Sequence, residues 1–116
     1  MDLDATIAAI VRFRDDRDWA QFHSIRNLAA ALSVEAAELQ ESLLWKTDAE
    51  VSAMLESSKR DAVSMELADV LIYAMLLSHA LGEDPLTLVN RKLQLNAQKY
   101  PVHIAKGSAK KYTDKD

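Results

Sequence analysis

The sequence predicts an all-α protein, and three observations support this prediction. Apolar residues recur with helical spacing in four segments, and no alternating strand pattern of useful length occurs. Only two glycines and two prolines interrupt a chain of 116 residues. A composition of 49% hydrophobic and 28% charged residues is typical of one globular domain. We therefore expect a four-helix, bundle-like protomer.

The four helices are located by their apolar stripes and by the residues at their ends. They are predicted to span residues 3 to 16, 25 to 45, 59 to 81 and 85 to 99. Ser24 is the expected N-cap of the second helix, and Gly82 is the expected C-cap of the third. Pro85 suits the first position of the fourth helix. The connection between residues 47 and 58 is expected to hold a short helical turn at most.

Composition excludes several classes of protein. The chain has no cysteine, so disulfide bonds, zinc thiolates and thiol nucleophiles are ruled out. A net charge of −4 disfavours a nucleic-acid partner. The acidic start lacks the basic residues of a secretory signal, and the longest uncharged run, residues 70 to 82, is shorter than the roughly 20 residues of a membrane span. We expect a soluble, cytoplasmic protein with no membrane partner.

The end of the chain differs in composition from the rest. Its last residues, "KGSAKKYTDKD", are polar and mostly charged, with few apolar side chains to pack. Such segments are usually solvated. We therefore expect residues 1–103 to form the domain and residues 104–116 to form a flexible tail.

Two pairs of acids lie on helices that otherwise look built for burial. Glu35 and Glu38 are three residues apart, as are Glu66 and Asp69, so each pair lies on one side of its helix. Glu35 even falls in the apolar stripe of its helix, which is Leu28, Leu32, Glu35, Leu39 and Ser42. Four carboxylates in a half-buried site are costly unless a cation compensates them. Oxygen ligands of this kind suit Mg²⁺ first and Mn²⁺ second.

Other interpretations of the acids are open at this point. A di-iron centre would need Glu-x-x-His motifs, and His23, His79 and His103 are not placed that way. Glutamate is also a strong helix former, so either acidic pair alone is more often a solvated helix edge than a ligand set. Their joint occurrence on two apolar helices makes the metal site and the solvated edge comparable explanations.

Five segments, in this order, resemble the MazG-like all-α nucleoside triphosphate pyrophosphohydrolases, and most closely their dCTP pyrophosphatase branch. They are "RDWAQFH", "RNLAAALSVEAAELQE", "LLWKTD", "ELADVLIY" and "KLQLNAQKYP", and the resemblance covers about residues 12 to 101. Many MazG relatives carry an acidic doublet where Val34 stands here. This departure favours the dCTP pyrophosphatase branch and leaves the number of metal ions open.

The resemblance implies a Mg²⁺-dependent enzyme that hydrolyses a nucleoside triphosphate to the monophosphate and pyrophosphate. It implies dCTP or a modified dCTP as substrate and a role in sanitising the nucleotide pool. Metal binding carries over to the four acids Glu35, Glu38, Glu66 and Asp69. Glu41 matches a further family acid, which is either an outer ligand or a base that positions water.

The resemblance also favours binding roles for residues that have ordinary structural explanations. Trp19, His23 and Trp45 would hold the base rather than plug the ends of a small bundle. Lys92 and Lys99 would neutralise phosphate oxygens rather than only complement a helix dipole. We assign Glu38, Glu41 and Lys92 to the chemical step. The residues assigned to substrate binding are Trp19, His23, Trp45, Tyr73, Lys92, Asn96, Lys99 and Tyr100.

Apolar residues cover several faces of the third predicted helix, more than one small protomer can bury. We therefore expect a homodimer or a homotetramer. Two rival functions stay open. One is a related pyrophosphohydrolase for dUTP or a broad range of triphosphates, and the other is a helical interaction module whose acids serve solubility alone.

Overall fold

The computed structural model describes residues 1–114 and is all-helical within that range, which confirms the predicted fold class. Its elements are α1 (Leu3–Asp16), a 3-10 turn (Ala20–Phe22), α2 (Ile25–Leu43), α3 (Asp48–Leu55), α4 (Lys59–Ala80), α5 (Pro85–Lys99) and α6 (Val102–Ala105). The helices group into two compact units, the first covering Met1–Gly82 and the second starting at Glu83. The four predicted helices correspond to α1, α2, α4 and α5, and the two additional helices are short.

The predicted helix ends are largely confirmed, and each has a local cause. The Ser24 hydroxyl accepts a hydrogen bond from the Asn27 amide at 3.2 Å, which caps the start of α2. Gly82 follows α4 with a φ of +70°, a left-handed conformation that glycine adopts without steric cost. Pro85 is the first residue of α5. The residue before it, Asp84, is the N-cap, and its carboxylate accepts a hydrogen bond from the Thr87 amide at 2.9 Å.

The connection between α2 and α4 contains a helix that the sequence analysis missed. Residues Asp48–Leu55 form α3, so the expectation of a short turn at most was wrong. The cause is a capping box, in which the Thr47 side chain accepts from the Glu50 amide and the Glu50 carboxylate accepts from the Thr47 amide. The T-x-x-E spacing was visible in the sequence and identifies the start of this helix.

The core of the first unit lies between α2 and α4, which form its most extensive helix pair. Leu28 on α2 and Leu76 on α4 are the most deeply buried side chains, with 1% and 5% of their surface exposed. The stripe predicted for α2 is confirmed as the buried face, because its members are buried or half-buried. Glu35 is one of them, so the fold places a carboxylate within the packed seam.

Helix α4 is long and apolar enough to cross a membrane by length and composition alone. The core helix of a soluble protein passes the same test. Here α4 carries Glu66 and Asp69 near its middle, and such acids are costly inside a bilayer. It packs against α2 and, less extensively, against α1 and α3.

The second unit consists of α5, α6 and the segment that follows them. Gly107 has a φ of +78° where the chain turns after α6. The ring of Tyr112 then lies 5.8 Å from that of Tyr100 in an edge-to-face contact, and the Lys99 ammonium lies 4.9 Å from the centre of the Tyr112 ring. The boundary between a domain of residues 1–103 and a flexible tail of residues 104–116 stays a prediction. The last two residues of the expected tail, 115 and 116, lie outside the described part of the chain.

Candidate functional site

Three acids from two helices meet at the α2–α4 seam. Glu35 and Glu38 on α2 and Glu66 on α4 each offer a carboxylate oxygen, and these oxygens lie within 4.8 Å of one another. The i, i+3 spacing brings the two α2 acids to one side of their helix, and the packing of α4 against α2 supplies the third. The structure thus brings together three of the four predicted metal ligands, here called the carboxylate cluster.

Two atoms of the carboxylate cluster are buried without a partner. Oε2 of Glu35 and Oε2 of Glu66 accept no hydrogen bond from the part of the chain that the structure describes. A buried oxygen of this kind is destabilising unless something satisfies it. The pKa of Glu35 is raised, mainly by burial and additionally by the neighbouring Glu38, Asp69 and Glu66.

Asp69, the fourth predicted ligand, lies next to the cluster rather than within it. It is exposed on α4, one helical turn beyond Glu66, and it lines a cavity together with Glu35. Its negative charge contributes to the raised pKa of Glu35, which places it within electrostatic reach of the cluster. The prediction that it is a metal ligand stays a prediction.

The residues present fit a hard divalent cation. All of the clustered donor atoms are carboxylate oxygens, the ligand type that Mg²⁺ and Mn²⁺ take in proteins. The two orphaned Oε2 atoms would gain a partner, and the cation would offset the repulsion that raises the pKa of Glu35. A cation therefore accounts for both unfavourable features of the cluster.

A cavity of about 540 Å³ opens beside the carboxylate cluster, within the first unit. This volume lies in the range of small-molecule sites, which is roughly 300 to 1,000 Å³. Its lining is mostly apolar or aromatic and comes from α1, the α1–α2 connection, α2 and α4. The lining residues are Thr6, Ala9, Ile10, Phe13, Arg14, Trp19, His23, Glu35, Asp69, Ile72, Tyr73 and Leu76.

Three residues predicted to bind substrate line this cavity. The Trp19 ring lies 5.9 Å from that of Phe13, and the His23 ring lies 6.3 Å from that of Tyr73, both in edge-to-face contacts. Burial, followed by the positive charge of Arg14, lowers the pKa of His23, so its imidazole is neutral near pH 7. Flat aromatic walls and one neutral imidazole are suited to a heterocyclic ring.

Other predicted residues lie away from the cavity or in the second unit. Trp45 follows α2 with a φ of +64° and is 92% exposed, and Glu41 is an exposed residue of α2 outside the carboxylate cluster. The remaining four belong to α5 or its C-cap: Lys92, Asn96, Lys99 and Tyr100. Lys92, Asn96 and Lys99 are spaced four and three residues apart, which places them on one face of α5, and Tyr100 follows as the C-cap.

Part of the cavity wall consists of residues that were not among the predicted site residues. Phe13 and Ile10 on α1 and Ile72 on α4 line the cavity but were not predicted to be site residues. Arg14 is the most informative omission, because it follows Ile7, Ile10 and Val11 at helical spacing on α1. A charged residue at an apolar stripe position was the available signal.

The fold and the carboxylate cluster define an all-α protein with a candidate divalent-cation site beside an apolar cavity. Comparison with known proteins is consistent with this description. The MazG-like family profile matches residues 30–114, so the chain belongs to the MazG-like family. The family resemblance inferred from the five sequence segments is thereby confirmed.

Individual relatives agree with the family assignment. The chain is 46% identical over 103 residues to dCTP pyrophosphatase 1 of Rattus norvegicus, covering 88% of this chain and 61% of that protein. Identity to dCTP pyrophosphatase 1 of Homo sapiens is 43% with the same coverage. The chain thus spans about 61% of the length of the curated relatives it matches. The crystal structure of a pyrophosphatase from Archaeoglobus fulgidus superposes with a TM-score of 0.78 at 36% identity, covering 85% of this chain and 92% of that one.

Proposed function

We propose that this protein hydrolyses a nucleoside triphosphate to the monophosphate and pyrophosphate, with dCTP or a modified dCTP as its substrate. The observation that carries the proposal is the carboxylate cluster at the edge of an aromatic-lined cavity, in a chain of the MazG-like family. The names of the relatives from rat and human support the choice of dCTP. The corresponding cellular role is removal of unwanted nucleotides from the pool.

Mg²⁺ is the proposed cofactor, with Mn²⁺ as a substitute. Glu35, Glu38 and Glu66 would hold it, joined by Asp69 from the rim of the cavity. When bound, such an ion neutralises phosphate charge and makes a water molecule easier to deprotonate. The orphaned oxygens of Glu35 and Glu66 support this assignment, since no described residue satisfies them.

The cavity is the proposed site for the base. Trp19 and Tyr73 offer aromatic surface, and an apolar wall excludes water from a bound heterocycle. His23 adds a polar group whose neutral form can either donate or accept a hydrogen bond. Trp45 is also proposed to contact the base, since its fully solvated ring lies in a left-handed turn that leaves it available for stacking.

The phosphates are proposed to meet the cationic face of α5. Lys92 and Lys99 supply positive charge, and Asn96 on the same side of the helix and the C-cap residue Tyr100 supply hydrogen-bonding groups. In the chemical step, Lys92 stabilises negative charge on the phosphates. Glu38 and Glu41 are proposed to orient the attacking water and to accept its proton.

A homodimer or homotetramer in the cytoplasm is the proposed form. Large apolar side chains stay exposed on α4, including Leu67 at 47% and Leu71 at 49%. Exposed apolar surface of this extent is typical of faces that another protein surface covers. A second copy of the chain is the proposed partner, and sedimentation of the purified protein tests this assembly.

The direct test of the activity is pyrophosphate release from the common deoxy- and ribonucleoside triphosphates, with Mg²⁺ present and with it chelated. We expect Mg²⁺-dependent release that is fastest with dCTP. Glu38→Gln should lower the rate at least about 100-fold, since even residues that only support metal ligands contribute about 10- to 100-fold. Glu56→Gln, an exposed acid after α3, is the matched control and should leave the rate unchanged.

Other outcomes of this measurement would favour one of the two rival functions. Fastest release from dUTP, or similar rates with many triphosphates, would support the related pyrophosphohydrolase of different preference. No release from any triphosphate by a folded sample would overturn the proposal and favour a helical interaction module.

A further inference from the structure

Arg14 is a cation in a cavity that is otherwise largely apolar. Its side chain is only 17% exposed, and it lines the same cavity as Trp19 and Tyr73. Its Nε and Nη2 atoms both bind Oδ1 of Asp15, at 2.9 Å and 2.8 Å. This contact fixes one edge of the guanidinium. Its third nitrogen, Nη1, donates no hydrogen bond to the described residues, so Arg14 retains donors for a ligand.

His23 supplies the opposite hydrogen-bonding character in the same cavity. Its Nδ1 atom is buried and has no partner within residues 1–114. The imidazole is neutral because burial and the nearby charge of Arg14 both disfavour its protonation. A neutral imidazole always has one nitrogen with a free lone pair, which accepts a hydrogen bond. A guanidinium and a neutral imidazole therefore both line the cavity and lie within electrostatic reach of each other.

This combination of donors and acceptor discriminates between pyrimidines. Cytosine has two adjacent acceptors, O2 and N3, followed by a 4-amino donor. Uracil and thymine instead have an N3–H donor between two carbonyl acceptors. A guanidinium can donate to the O2 and N3 pair while the imidazole accepts from the 4-amino group. With uracil, the guanidinium would meet the N3–H donor, which leaves buried polar groups unpaired.

We propose that Arg14 and His23 read the pairing edge of cytosine in the cavity between α1, α2 and α4, and that Arg14 is a specificity-determining residue. The inference rests on the proposed function for its substrate, and it assigns the base preference to two side chains. The aromatic walls then supply affinity for any flat ring. Rejection of uracil comes from the mismatched polar groups, an effect that apolar contacts alone cannot supply.

The first test compares kcat/KM for dCTP with that for dUTP. Arg14→Met should reduce the dCTP-to-dUTP ratio at least about tenfold, because two hydrogen bonds to a charged donor are lost. Arg14→Lys keeps the positive charge but loses the two-pronged geometry, so it should also reduce the ratio. Arg12→Met is the matched control, since Arg12 is exposed on the same helix and does not line this cavity. The dCTP-to-dUTP ratio of Arg12→Met should equal that of the wild type.

His23 is tested with a base that lacks the 4-amino group. Pyrimidin-2-one keeps O2 and N3, so its nucleotide should still depend on Arg14. His23→Phe should weaken binding of the cytosine nucleotide several-fold and leave that of the pyrimidin-2-one nucleotide unchanged. Equal weakening of both would show that His23 only shapes the wall, and it would overturn its assigned role.

A binding measurement separates this inference from the proposed activity. Calorimetry of dCMP and dUMP with the metal-free protein needs neither the cation nor hydrolysis. Preference for dCMP that Arg14→Met abolishes would support the inference even if no triphosphate were hydrolysed. Equal weakening of both nucleotides by Arg14→Met would show a role for Arg14 in binding phosphate, and an unchanged preference would show no role in reading the base. Either result would overturn the inference while leaving the activity to be judged by pyrophosphate release.

Discussion

Glu35 on α2 and Glu66 on α4 hold carboxylate oxygens within 4.8 Å of each other, and each side chain has a buried Oε2 atom without a partner among the described residues. Like charges at this separation repel each other unless one carboxyl is protonated or a cation binds. The α2–α4 seam, which contains the most deeply buried side chains of the first unit, therefore also contains a pair of carboxylates that repel each other.

Removing the charge of Glu66 should stabilise the metal-free protein and make it insensitive to Mg²⁺. Glu66→Gln relieves repulsion within the cluster, and we expect a gain of about 1 kcal/mol, or roughly 4 °C in Tm. Thermal unfolding with a chelator and with Mg²⁺ checks both effects. Glu56→Gln should behave like the wild type in both conditions. A lower Tm for metal-free Glu66→Gln would contradict the account.

The stability of the metal-free protein should depend on the protonation of Glu35. Burial raises the pKa of this carboxyl above the usual 4.5, so the folded protein holds the proton more tightly than the unfolded chain. This contribution is fully present below the unfolded pKa and is lost as pH rises through the raised value. Glu35→Gln should therefore gain stability relative to the wild type as pH increases.

Denaturant unfolding of both proteins across about pH 4 to pH 8, in the presence of a chelator, measures this dependence. A difference between wild type and Glu35→Gln that stays constant with pH would contradict the raised pKa. Addition of Mg²⁺ should reverse the order at the upper end, because only the wild-type carboxylate gains a cation there.

Leu28 is expected to contribute strongly to stability. It is 1% exposed at the α2–α4 seam, and Leu28→Ala should reduce the free energy of unfolding by about 3 kcal/mol through lost burial and a residual cavity. Val34→Ala, on the same helix but 57% exposed, should change it by less than about 0.5 kcal/mol. Equilibrium urea unfolding distinguishes the two, and similar values for both variants would show that Leu28 is not part of a packed core.

The capping box of α3 should have a measurable effect. Thr47→Ala removes the side-chain acceptor of the Glu50 amide and should destabilise the protein by about 1 kcal/mol. Glu50→Gln keeps a side-chain acceptor for the Thr47 amide and should cost less. Circular dichroism during thermal unfolding measures the destabilisation caused by each variant. A larger loss of stability for Glu50→Gln than for Thr47→Ala would mean that the charge of Glu50 matters more than the capping box.

The long helices and the pairing of acids could be predicted because local rules determine them. Ser24, Gly82 and Pro85 mark helix ends through their own side chains or backbone preferences, and the stripe around Leu28 and Glu35 follows helical spacing. The start of α3 is also determined locally, because the T-x-x-E spacing of Thr47 and Glu50 forms its capping box. In these cases a few neighbouring residues suffice.

The cavity could not be predicted in the same way, because its wall combines residues that are distant in the sequence. Phe13 and Arg14 line the same cavity as Tyr73 only because α1 packs against α4, and no local pattern indicates this packing. The closeness of Glu35 to Glu66 similarly depends on the register between α2 and α4. Spacing within each helix predicted two acidic pairs, and packing determined that three of the four carboxylates cluster while Asp69 lies at the rim.

Anomalous diffraction from a crystal grown with Mn²⁺ tests most directly whether the carboxylate cluster binds a metal ion. We predict an anomalous peak at the α2–α4 seam, with carboxylate oxygens of Glu35, Glu38 and Glu66 about 2.2 Å from it. The same peak should be absent from crystals of Glu38→Gln. A manganese ion bound elsewhere, with the carboxylate cluster empty at saturating metal, would contradict the assignment of these acids as the metal site.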